Sequence, residues 1–167
     1  MMFGLSLAQF IILHVAISLI GIGTGLWAMI AYARGRGFLP VSGGLFLAST
    51  AATTITGFLF PFAGLTPAVI TGLVSTLVLA VAFAARYVAT GSGRAETAYA
   101  ISATAALYLN IFVLVVQMFQ KIPALNALAP TGTEPPFLVT QLLVLAAHGV
   151  LGFVAWRKVS TSNECLC

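Results

Sequence analysis

Residues 5–32 read LSLAQFIILHVAISLIGIGTGLWAMIAY, without one Asp, Glu, Lys or Arg, and the run stops at Arg34-Gly35-Arg36-Gly37. Crossing a ~30 Å hydrocarbon core at 1.5 Å per residue takes roughly 20 apolar residues in a row. This stretch is long enough, and charge followed by glycine is a helix stop.

The pattern recurs four times. A second apolar span covers residues 39–60, with Pro40 suited to a first helical turn, and ends in Phe60-Pro61-Phe62-Ala63-Gly64, which reads as a tight hairpin. Thr66 is the N-cap of a third span over 67–88, closed by Gly91-Ser92-Gly93. The fourth starts near Thr97 and covers 97–120, where Lys121 and Pro123 end it. A proline-rich loop from Ile122 to Pro136 leads to the fifth, 137–156. Within that loop Leu125-Asn126-Ala127-Leu128 is expected to form a short interfacial turn.

Composition agrees. Of 167 residues, Lys+Arg number 7 and Asp+Glu 3, while 60% are hydrophobic; mean hydropathy is +1.10. A soluble domain carries about a quarter charged residues, so this chain has too few to cover a surface in water. The spans are continuously apolar rather than alternating, which disfavours a β-barrel. The expected fold is an all-α integral membrane protein: one domain, residues 1–167, built as an up-down bundle of five transmembrane helices.

Lys and Arg are retained in cytoplasmic loops. With the N-terminus outside, the inner segments hold Arg34, Arg36, Arg86, Arg94, Arg157 and Lys158, and the outer ones only Lys121. The expected orientation is therefore N-terminus outside and C-terminus cytoplasmic, in a prokaryotic inner or plasma membrane. Trp27, Tyr32, Tyr87, Tyr99 and Trp156 then fall near the inner interface, where amphipathic rings sit. The first span is too long for a signal peptide and no Lys or Arg precedes it. The net charge of +4 is the loop bias and implies no nucleic-acid partner.

Ionisable groups deep in a membrane are costly and mark function. No Asp, Glu, Lys or Arg lies deep in a span, which disfavours a proton-coupled pump. The two histidines, His14 and His148, both do. Counted from their helix starts, the two rings lie roughly 14–17 Å deep and within about 3 Å of a common level. His14, Ser18, Gly21 and Gly25 share one face of the first helix, and Gln141, His148 and Gly152 one face of the fifth. Imidazole above a strip of small residues is how bis-histidine b-type haem is held between membrane helices. Asn110 and Gln117, seven apart on the fourth helix, and Gln141 suit either partners of an imidazole N–H or a quinone carbonyl, or amide bonds between helices. Thr50, Thr53, Thr54, Thr56, Ser75 and Thr76 are expected to bond back to their own helix carbonyls.

Cys165 and Cys167 stand in the tail assigned to the reducing side, where a structural disulfide is disfavoured. No Ser-His-acid set, P-loop or HExxH motif appears, and no internal repeat. The sequence therefore points to a small membrane protein holding haem b between His14 and His148. It would carry electrons to a quinone or a larger redox complex rather than act as a stand-alone enzyme. The alternatives are a non-catalytic accessory or scaffold subunit, alone or as a homo-oligomer, and a small carrier.

Overall fold

The computed structural model describes residues 4–61, 64, 66–89 and 92–164. Cys165 and Cys167 lie outside them, as do Phe62, Ala63 and Gly91 of the two expected turns. Among the described residues every regular element is a helix: α1 (Leu7–Arg36), α2 (Pro40–Phe58), α3 (Pro67–Val88), α4 (Gly93–Lys121), α5 (Pro123–Leu128) and α6 (Pro135–Glu164). Five of them, all but α5, are long and apolar enough to span a bilayer.

Local chemistry sets the ends. Ser6 and Gln9 form a reciprocal capping box, with Gln9 N–H donating to Ser6 Oγ and Ser6 N–H to Gln9 Oε1, so α1 starts at Leu7 rather than Leu5. Its last turn, Tyr32–Arg36, is π-helical and terminates where Gly35 takes φ +81°, a left-handed conformation that glycine reaches without strain. Thr66 caps α3 as expected, by accepting from Val69 N–H.

Ser92 accepts from Ala95 N–H and starts α4 four residues earlier than Thr97. The helix α6 begins at Pro135 and continues past Trp156 to Glu164, because no glycine or proline follows to break it. The expected turn at 125–128 is the single helix α5.

Central to the bundle is α4, the most buried of the five spans, while α6 is the most peripheral. The cause is its run of small residues: Ala95, Ala100, Ser102, Ala103, Thr104 and Ala106 are all buried, and small side chains let neighbouring backbones approach closely. Helices α1, α3 and α6 all pack on it. The largest core joins Met29, Phe46, Leu47 and Leu107 with Tyr32, Tyr99, Ala155 and Val159. It therefore ties the end of α1 to the start of α4 and the end of α6. With Arg86 stacked on Phe38, this gathers Arg34, Arg36, Arg86, Arg94, Arg157 and Lys158 at one end of the bundle.

Candidate functional site

The α1 face read from the sequence is real, and α2 and α4 cover it. Phe10 meets Phe60 edge-on. His14 Nδ1 lies 2.8 Å from Thr56 Oγ1, and Ser18 Oγ, which donates to the His14 carbonyl at 2.8 Å, lies 3.3 Å from Thr53 Oγ1. A Cβ on Gly21 would stand 3.1 Å from Ser49 Oγ and 3.3 Å from Thr50 Oγ1; one on Gly25 would stand 2.6 Å from the Phe46 ring and 2.9 Å from Leu107. In each pair across α1 and α2 the residue numbers add to about 70, the mark of two antiparallel helices in register. Asn110 closes the seam from α4, its Nδ2 donating to Thr50 Oγ1 at 3.1 Å.

The second seam joins α4 to α6. His148 packs its ring against Tyr108, with centroids 5.9 Å apart. Gln141 Nε2 donates to the Phe112 carbonyl at 3.2 Å. A Cβ on Gly152 would stand 3.3 Å from Thr104 Cγ2. Gln117, by contrast, is exposed.

The tautomer of His148 is fixed by its partner. Its Nδ1 faces the Val144 carbonyl at 2.8 Å, which can only accept, so the ring carries its proton there. His14 Nδ1 instead meets the Thr56 hydroxyl, which is both a donor and an acceptor and also lies 2.7 Å from the Ala52 carbonyl. The Nε2 of a ring protonated on Nδ1 is left with its lone pair. That of His148 is buried with no hydrogen-bond partner, and so is Gln141 Oε1. Committing Nδ1–H to an oxygen while leaving Nε2 basic is the usual preparation of a ligating histidine.

The two rings do not share a level. Along α4, Gly21 stands beside Asn110, Gly25 beside Leu107 and Tyr32 beside Tyr99, a register that sets His14 opposite Gln117. From the other side, Gly152 stands beside Thr104, His148 beside Tyr108 and Phe137 beside Phe119. The histidines are thus about nine residues apart along α4, roughly 13 Å at 1.5 Å per residue. The expectation of a common slab fails because it counted depth from the helix starts: α1 begins at Leu7 rather than Leu5 and α6 at Pro135 rather than Phe137, which accounts for part of the offset, and the packing register along α4 sets the rest. Two axial imidazoles on one metal ion, with metal–nitrogen bonds of about 2 Å, have nitrogens ~4 Å apart. The residues do not fit a haem shared between them, and the glycine strips meant to admit its faces are filled by Phe46, Leu107 and Thr104.

A third cluster was not anticipated. At the arginine-rich end the Arg86 guanidinium lies 4.0 Å over the Phe38 ring, Tyr32 Oη donates to Glu96 Oε2 at 2.6 Å, and Tyr99 packs against both Tyr32 and Phe38. Its signal in the sequence is two opposite charges, Arg86 and Glu96, flanking one short connection between spans. No group of three or more His, Cys, Asp or Glu side chains converges on a metal position among the described residues. Comparison with known family models, curated proteins and solved structures returns no match to this chain.

Proposed function

We propose that this chain is a non-catalytic accessory or scaffold subunit of a larger membrane assembly, embedded with its N-terminus outside and its C-terminus in the cytoplasm. The observation that carries this reading is how the intramembrane polar residues are used. Ser18 and Asn110 hydrogen-bond hydroxyls on α2, His14 pairs with Thr56, and Gln141 bonds the α4 backbone. Their glycines seat side chains of neighbouring helices. Such bonds and close approaches hold helices together in lipid, and they direct any recognition to the outward faces. On α6 that face carries Leu138, Leu142, Leu145 and Phe153, with Gly149 in open space among them, so another helix can approach closely. The orientation rests on the six basic residues at one end.

The test is extraction from native membranes in mild detergent followed by native mass spectrometry and a visible spectrum. A heteromeric complex of fixed stoichiometry without a chromophore is expected. The chain alone, or as a homo-oligomer only, overturns the reading.

One observation favours a second reading, a b-type haem protein passing electrons within the bilayer to a quinone or redox complex. It is the buried, uncommitted Nε2 of His148, which would serve as an iron ligand without His14. A Soret band that disappears in His148→Ala and persists in His14→Ala would establish it; a spectrum without a Soret band from haem-replete cells rejects it.

A further inference from the structure

At the arginine-rich end, between α1, α3 and α4, lies a cavity of about 10 Å³. Tyr32, Arg86, Glu96 and Tyr99 line it, with Ala85 and Ala95 forming its apolar wall. We propose that this cavity holds one ordered water that bridges the Arg86 guanidinium to the Glu96 carboxylate.

Three features converge on that ligand. The first is size: the volume is about that of one water-sized sphere, the minimum that admits a water and too little for a phosphate or an ammonium headgroup. The second is charge, because the wall carries one cation and one carboxylate, so a neutral dipole suits it better than an ion of either sign. The third is the set of hydrogen-bonding groups. Arg86 Nε is buried with no partner, and a buried donor left without an acceptor costs about 1–3 kcal/mol.

One carboxylate oxygen of Glu96 takes the Tyr32 hydroxyl, and Tyr99 lines the same cavity. A water there accepts from Arg86 Nε–H and donates to Glu96 and to Tyr99 Oη, which gives it the two to four polar partners that buried waters have. It converts two charges on neighbouring helices into a water-mediated ion pair that also holds α1 through Tyr32.

The experiment uses the intact chain in micelles, labelled with ¹⁵N-arginine, and records dipolar cross-peaks between the Arg86 Nε proton and water in the rotating frame, where their sign separates them from chemical exchange. A dipolar cross-peak is expected in the parent protein, together with its loss in Ala95→Val, whose methyl groups fill the cavity. Ala85→Val gives the same readout if Ala95→Val does not fold. A parent protein without the cross-peak overturns the proposal, as does a cross-peak that survives a folded cavity-filling variant.

Discussion

The imidazole Nδ1 of His14 lies 2.8 Å from Thr56 Oγ1, and the same hydroxyl lies 2.7 Å from the Ala52 carbonyl of its own helix. One threonine thus serves both its helix and its neighbour. Replacing Thr56 by Val keeps the shape and removes the hydrogen bond. Hydrogen bonds between membrane helices contribute about 0.6 kcal/mol on average and up to roughly 1.7, so Thr56→Val is expected to lower stability by about 1 kcal/mol. It should also change the tautomer balance of His14, read from the ¹⁵N shifts of the ring. An unchanged tautomer in a folded Thr56→Val protein would show that the bond does not hold the ring.

Gly25 and Gly23 give a matched pair on one helix. A Cβ at Gly25 would intrude on Phe46 and Leu107, whereas Gly23 has nothing within 4 Å. Overpacking a filled interior costs about 1–3 kcal/mol, and alanine in place of an open helical glycine gains up to about 1 kcal/mol. Thermal unfolding in detergent should therefore rank Gly23→Ala at or above the parent protein and Gly25→Val well below it. Trimming Phe46 to Leu should restore part of the loss in Gly25→Val. Equal effects at the two glycines would contradict the packing of α1 against α2.

The five spans were legible because length and hydropathy alone decide whether a segment can cross a bilayer. The contact face of α1 was legible for a similar reason, since His14, Ser18, Gly21 and Gly25 recur at helical spacing. What covers that face was not. Thr50, Thr53 and Thr56 read as self-satisfied on α2, yet each meets a polar group of another helix. Thr50 accepts from Asn110, Thr53 Oγ1 lies 3.3 Å from Ser18 Oγ, and Thr56 Oγ1 lies 2.8 Å from His14 Nδ1. Laid antiparallel, Phe46, Thr50, Thr53, Thr56 and Phe60 form the complementary stripe, so the signal was present in the pairing of two helices and absent from either alone. The depth of the histidines was misread in part because it was counted from helix starts, which are set by Ser6 with Gln9 and by Pro135; the packing register along α4 sets the rest.

Glu134 makes the loop before α6 sensitive to acid. Partial desolvation alone would raise its carboxyl, but hydrogen bonds from the Thr131 and Thr133 backbone N–H groups and the Thr131 hydroxyl outweigh this and hold it below its ordinary 4.5. A carboxyl depressed by folding adds stability above its unfolded value and loses it as pH falls through the folded one. The loop should therefore stay ordered at pH 5 and above and loosen only below the ordinary carboxylate range (~pH 4). A ¹³C titration of the Glu134 carboxyl is expected to show a midpoint under 4.5, which moves up in Thr131→Ala. A midpoint at or above the ordinary value would remove these hydrogen bonds from the account.

Register decides whether His14 and His148 can ever share a ligand, and paired cysteines read it directly. With Cys165 and Cys167 replaced by Ser, a disulfide needs Cα atoms within about 7 Å. Cysteines at 14 and 56 replace a side-chain contact across α1 and α2, and cysteines at 104 and 152 one across α4 and α6. Both pairs should cross-link on mild oxidation in membranes. Cysteines at 14 and 148, about nine residues out of step along α4, should not. Rapid cross-linking of 14 with 148, at a rate matching the other two pairs, would bring the rings back to one level and restore the possibility of a single metal between them.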